Sequence, residues 1–243
     1  MKQIIILIVI FCIIVMLLPF CHNLWDGYLC PSQDARIYKI PSDDIQRKLE
    51  PYIGNMLRVM RDYGAKLDPA FNVQTSKGCK ASSTIYNKHD PELFGIIDSL
   101  LNTIAKRASE STGVNLLPAP CCEEEYCWFT RVYENENDFL SWHFDTNFSS
   151  GIRFTYVHEL YVSNKNASHF MTLDRAQNIT VFTSKTGNNV LYDGSKTKHA
   201  ISKQASDSTR IVLVVPLYQN YKHNTYGKYR REIRKIVYKK MNL

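Results

Sequence analysis

The polarity pattern divides the chain into three unequal stretches. From Ile4 to Phe20 the sequence "IIILIVIFCIIVMLLPF" carries no charge. Its seventeen apolar residues reach the lower limit for a bilayer-spanning helix and outrun the apolar core of a cleaved signal peptide. From Pro41 apolar positions recur at helical spacing. Ile45, Leu49, Ile53, Met56 and Met60 form one stripe over 41–67, with Ser42 or Asp43 placed to cap and Pro51 expected to break or kink it. A second helix is predicted over 90–107. Asp90 caps it, Pro91 takes the first turn, and Leu93, Ile96, Ile97, Leu100, Leu101 and Ile104 face the core.

After residue 120 the period changes. Short runs rich in β-branched and aromatic residues, separated by Asn, Ser, Gly and Lys, predict strands at 127–134, 139–144, 153–162, 169–174, 178–183, 188–192, 198–203 and 209–217. Helices first and strands second predict a mainly β (α+β) domain with its helices packed on one face of the sheet. The expected division is an anchor over 1–24, a juxtamembrane linker over 25–40, a domain over 41–220 (helical part 41–110, β core 120–220) and a tail over 221–243.

Charge sharpens the picture at both ends. Lys2 precedes the apolar run and Asp26 follows it, so the positive-inside rule places the domain on the extracytoplasmic side of a single-pass membrane protein. Three N-glycosylation sequons, at Asn147, Asn166 and Asn178, agree with that side, as do six cysteines beyond the apolar run: Cys21, Cys30, Cys79, Cys121, Cys122 and Cys127. Residues 219–243 hold eight Lys/Arg and one Glu, so the whole formal charge of +7 sits in this tail. Ile233, Val237 and Met241 recur there at helical spacing. The tail is read as a helix that docks on the domain or contacts anionic lipid or an acidic partner.

The candidate chemistry lies in "SWHFDTN". His143 and Asp145 are two apart, so in an extended segment they project to the same side, with Trp142 and Phe144 on the other. A His and a carboxylate supply two ligands of a 2-His-1-carboxylate site, which leaves open positions on a non-haem Fe(II). The third ligand is sought in His199, which opens a strand after a "YDG" turn. Eleven residues on, Arg210 begins the apolar strand "RIVLVVPL". A lone Arg entering a buried strand needs an anion, and its planar fork suits a carboxylate. "CCEEEYC" lacks paired C-x-x-C spacing and is read as a loop with a disulfide or free thiols rather than a zinc site.

Together, "WHFDTN", "YDGSKTKHAIS" and "TRIVLVVPL" resemble the Fe(II)/2-oxoglutarate-dependent dioxygenases, in particular their prolyl and lysyl hydroxylase branch, over roughly residues 128–220. The resemblance implies a double-stranded β-helix (jelly-roll) barrel. It implies Fe(II) held by His143, Asp145 and His199, and 2-oxoglutarate as co-substrate with O2. Arg210 and Tyr161 would grip the far carboxylate, Tyr133 would face the co-substrate, and ascorbate is a further expected cofactor. The implied activity is hydroxylation of a prolyl or lysyl side chain in a protein or peptide, with release of succinate and CO2. Hydroxylation of a lipid, glycan or small molecule, and an inactive jelly-roll binding module, are the alternatives. Nucleic-acid demethylation is not expected: that branch carries a second Arg six residues after the first, and Pro216 stands there.

Overall fold

The computed structural model describes residues 36–67, 76–119, 127–145, 152–194 and 196–219. The apolar run, the first 35 residues as a whole, Asn147, Cys121, Cys122 and the basic tail lie outside these. Among the described residues no helix is long and apolar enough to cross a membrane.

The predicted first helix is interrupted where Pro51 stands. Helix α1 (Asp43–Leu49) runs into a 3-10 turn (Glu50–Tyr52), and α2 (Ile53–Tyr63) follows. Pro51 donates no backbone hydrogen bond and its ring crowds the preceding turn, so the tighter turn forms there. The stripe holds at Ile45, Leu49, Met56 and Met60, while Ile53 is half-buried and Val59 joins the core. The expectation of helix to residue 67 fails, because β2 (Ala65–Leu67) pairs with β3 (Ser76–Ser82) instead. Neither β3 nor the short helix α3 (Ser83–His89) stands out in the sequence. Helix α4 (Pro91–Thr112) starts as its pattern predicts, with Asp90 Oδ1 accepting from Leu93 N at 3.2 Å. It outlasts its pattern by more than a turn and ends on Gly113, whose φ of 70° suits glycine.

The eight predicted strands all form: β5 (Phe129–Tyr133), β6 (Phe139–His143), β7 (Ile152–Val162), β8 (Phe170–Leu173), β9 (Ile179–Phe182), β10 (Asn189–Tyr192), β11 (Lys198–Ile201) and β12 (Arg210–Tyr218). Two further short strands, β1 (Ile37–Tyr38) and β4 (Leu117–Pro118), lie at the edges. Pairing is antiparallel throughout, in the order β1-β10-β7-β12-β5-β3-β6-β11-β8-β9. β3 is the corner of this curled sheet. Its Cys79–Ser82 half pairs with β5 and its Ser76–Lys77 end pairs with β6. Gly78 sits at the switch with φ 141°, and a Cβ there would meet Val132 O at 2.9 Å, so both conformation and space call for glycine.

Two apolar layers follow from strand alternation. On β12, Ile211, Leu213, Val215 and Leu217 join the cluster under the helices, while Val212 and Val214 join a second cluster inside the curl with Tyr133, Val157, Phe170 and Tyr192. Being covered on both faces, β12 reads as a continuous apolar run rather than an alternating one. The helices thus cover one outer face of a mainly β curled sheet, consistent with a jelly roll, and the inner face is left to line a pocket.

Candidate metal centre

His143 ends β6 and His199 lies on β11, and the two are direct Cα partners across the sheet. Their ring centroids are 4.1 Å apart. Asp145 follows two residues past His143 and is fixed by its own N–H, which donates to Gly194 O at 2.8 Å. Its Oδ1 lies 3.5 Å from His143 Nε2 and 3.6 Å from His199 Nε2. One ligand atom from each of the three residues falls within 4.8 Å of the others. This cluster is built by pairing two strands fifty-six residues apart, which no local pattern encodes.

The surroundings orient the donors. His143 Nδ1 lies 2.7 Å from Ser141 O, and His199 Nδ1 lies 3.1 Å from Thr197 O. A carbonyl only accepts, so each Nδ1 carries the proton and each Nε2 presents its lone pair to the cluster. Asp145 Oδ2 accepts from Thr155 Oγ1 at 2.6 Å and from the Tyr192 hydroxyl at 3.1 Å, which leaves Oδ1 facing the imidazoles. Gly194 completes the "YDG" turn because Asp145 packs onto it. A Cβ there would stand 2.7 Å from Asp145 Cβ and from its Oδ2.

Burial works against the Asp145 charge, but His199, His143 and Thr155 outweigh it and hold the carboxyl well below the usual carboxylate range. His199 is pushed down to about 4, first by burial and then by His143. Burial and the Asp145 charge push the Tyr192 hydroxyl far up, so it remains a donor. At neutral pH the cluster therefore pairs an anionic Asp145 carboxylate with a neutral His199 imidazole. Two nitrogen lone pairs and one carboxylate oxygen fit a divalent first-row metal with open coordination positions.

The cluster opens into a pocket of about 250 Å³ inside the curl. Its wall includes Lys80, Arg131, Tyr133, Thr155, Tyr192 and Arg210, with Val157, Phe170, Val212 and Val214 as apolar lining. Tyr133 is the direct partner of Arg210 across β5 and β12, and its ring lies 5.5 Å from that guanidinium. Arg210 does not reach the pocket unpaired. Its Nε and Nη2 both donate to Glu159 Oε1, at 3.1 and 3.0 Å, and both residues are buried. The anion inferred from the lone Arg is thus in part a residue of the same protein, and Nη1 remains buried without a hydrogen-bond partner among the described residues.

Tyr161 is a correction. The family resemblance implies that Tyr161 faces the pocket, and alternation along β7, which sends Thr155 and Val157 inward, would carry it there. The pairing with β12 shifts register: Val212 opposes Glu159, but Ile211 opposes Tyr161, so Leu160 is skipped. A bulge of this kind reverses the faces beyond it. Tyr161 ends 40% exposed, outside the pocket. Glu159, unnoticed in the sequence, takes up Arg210. Tyr192 and Gly194 had a legible signal in the "YDG" turn. Thr155, Arg131 and Glu159 had none, because they look like ordinary strand residues. His158 lies on the helix side of β7, hydrogen-bonded to Gln46 and Tyr156, away from the cluster.

No protein-family model matches the sequence, and no curated protein matches it. Several solved structures share the fold. A prolyl-4-hydroxylase from Pseudomonas putida gives a TM-score of 0.57 at 9% identity, over 83% of this chain and 99% of that one. A prolyl hydroxylase from Trichoplax adhaerens, in complex with a hypoxia inducible factor oxygen degradation domain peptide fragment, gives 0.55 at 11% identity, over 81% and 86%. The non-heme alpha ketoglutarate dependent carbocyclase SnoK from nogalamycin biosynthesis gives 0.54 at 16% identity, over 80% and 85%. At these identities the likeness is one of fold.

Proposed function

We propose that this protein is an Fe(II)- and 2-oxoglutarate-dependent oxygenase that hydroxylates a C–H bond, with a prolyl or lysyl side chain of a protein as substrate. The observation that carries the reading is the convergence of His143, Asp145 and His199, with both Nδ1 protons spent on backbone carbonyls, at a pocket that also holds the unpartnered Nη1 of Arg210.

The three ligands would hold the ferrous ion, which together with 2-oxoglutarate and O2 supplies the oxidising power that inserts oxygen into a C–H bond and releases succinate and CO2. The chain's own residues prepare for that chemistry. Ser141 and Thr197 lock both imidazoles in one tautomer. Thr155 and Tyr192 fix the Asp145 carboxylate. Val157, Phe170, Val212 and Val214 keep the inner wall dry. Arg210 offers Nη1 to a carboxylate, and a charge-assisted hydrogen bond of that kind is worth about twice a neutral one.

The prolyl hydroxylase solved in complex with a peptide fragment supports a peptide substrate. The carbocyclase of the same fold supports the small-molecule alternative. A membrane anchor over residues 4–20 with the domain outside the cytosol remains the proposed topology. Cys127 is disulfide-bonded, and Asn166 and Asn178 are exposed sequons, and both facts support an oxidising, glycosylating compartment.

The test is succinate release from 2-oxoglutarate by protein loaded with Fe(II) and ascorbate, against a panel of Pro- and Lys-containing peptides. Wild type is expected to turn over and His143→Ala to be silent, with a 16 Da gain on the hydroxylated peptide in mass spectra. Turnover that survives His143→Ala would refute the reading.

A further inference from the structure

Arg210 is not the only guanidinium in the pocket. Arg131 lies on β5 directly opposite Val212, so on the inner face it is the diagonal neighbour of Arg210. Both lie against one aromatic ring: Tyr133 is 4.9 Å from the Arg131 guanidinium and 5.5 Å from that of Arg210. Their electrostatic situations differ. Glu159 takes two N–H groups of Arg210 and neutralises it. Arg131 is also buried, yet its Nε and Nη2 have no hydrogen-bond partner among the described residues. Asp138, whose charge Arg131 feels, spends Oδ2 on the N–H groups of Glu134 and Asn135 and makes no ion pair with it there.

A buried, unpaired guanidinium is expensive for a protein to hold, and a pocket wall is where an anionic ligand removes that cost. Charge counting points the same way. A divalent metal and Asp145 leave one positive charge, a dicarboxylate brings two negative ones, and the Arg210–Glu159 pair adds nothing. One more cation is needed. Lys80 also lines the wall but lays its ammonium 3.7 Å over the Phe129 ring, whereas the buried N–H groups of Arg131 lack partners among the described residues, and Arg131 is the cation they single out. We propose that Arg131, rather than Arg210 alone, is the charge anchor for the remote carboxylate of a 2-oxo diacid, with Arg210 Nη1 contributing a directional hydrogen bond. The assignment rests on the oxygenase reading above and adds to it the residue that selects a diacid over a monoacid.

The test is calorimetric titration of the full-length, Mn(II)-loaded protein with 2-oxoglutarate and with oxalate, which offers the chelating oxygens without the tail. Arg131→Met is expected to weaken 2-oxoglutarate by at least about 30-fold, the scale of truncating one partner of a buried charged pair. Oxalate affinity should stay within about twofold, since the ligands are untouched. The ligand-free variant should melt no lower than wild type, because it loses an unpaired buried charge; a residue with only a structural role would lower it. Arg131→Gln, which keeps neutral donors, gives the same readout where the methionine variant does not fold. Wild-type affinity for 2-oxoglutarate in either folded variant, or an equal loss of both ligands, overturns the assignment of Arg131. A wild-type protein that takes up neither Mn(II) nor 2-oxoglutarate would instead refute the oxygenase reading itself, and this assignment with it.

Discussion

Arg210 Nη2 and Glu159 Oε1 stand 3.0 Å apart inside the sheet, with side chains 1% and 8% exposed. Glu159 Oε1 also accepts from Ser184 Oγ, and Oε2 from Lys185 N, so the carboxylate is fully engaged. Breaking such a pair leaves a buried charge uncompensated. Glu159→Gln is expected to lower stability by about 3 kcal/mol, read from urea unfolding. A change below about 0.5 kcal/mol would mean that the pair is not held in solution as it is here.

Metal should stabilise the fold only through the three ligands. Mn(II) at a hundredfold excess over its dissociation constant adds about 2.7 kcal/mol to a protein that binds it in the native state. The melting temperature of wild type should therefore rise with Mn(II), and that of His143→Ala or His199→Ala should not. An equal rise in all three would place the metal elsewhere.

Gly194 tests the fit of the turn to the carboxylate. An added methyl group at 2.7 Å from Asp145 Cβ and Oδ2 forces one of them to move. Gly194→Ala should retain its fold and lose roughly 10- to 100-fold in Mn(II) affinity, the usual scale for disturbing the groups behind a metal ligand.

Tyr161 and Tyr192 should separate cleanly. Tyr161→Phe removes a hydroxyl that lies outside the pocket, so the KM for 2-oxoglutarate should stay within about twofold of wild type. Tyr192→Phe removes a donor to Asp145, and its Mn(II) affinity should fall by about tenfold or more. The reverse ranking would return Tyr161 to the site.

Acid should unfold the metal-free protein through buried histidines. Burial pushes His158 down to about 4, and burial followed by His143 does the same to His199. Between about 6.5 and about 4 the unfolded chain binds protons that the native state refuses. Stability is thus complete above about 6.5 and falls with pH across that window, by about 1.4 kcal/mol per pH unit for each such histidine. His158→Gln should reduce the slope by close to one proton. An unchanged slope would show that His158 charges freely in the native state.

Much of the site was legible because it is local or apolar. His143 and Asp145 share a face by strand alternation, Asp90 and Pro91 mark a helix start, and the run from Ile211 to Leu217 has no place but a core. Pro51 marked a break because, past the first turn of a helix, a missing N–H and a crowding ring disrupt the hydrogen-bond ladder whatever surrounds them. Tyr161 was misplaced for a reason that composition does not reveal. One skipped residue, Leu160, exchanges the faces of β7, and whether a strand bulges depends on the partner it meets. Arg131 and Glu159 escaped notice for the same reason: their importance lies in what faces them across the sheet, and that is absent from their neighbours in sequence.

By itself the sequence determined the main helices and the eight strands after residue 120, the donor types of a metal site and the need for an anion near Arg210, since periodicity and the chemistry of side chains are properties of short segments. Only the tertiary structure decided that His143 and His199 are cross-strand partners, that Glu159 answers Arg210 and that Arg131 is left unanswered. Those facts are set by register between strands distant in the chain, where a shift of one residue turns every side chain to the other face.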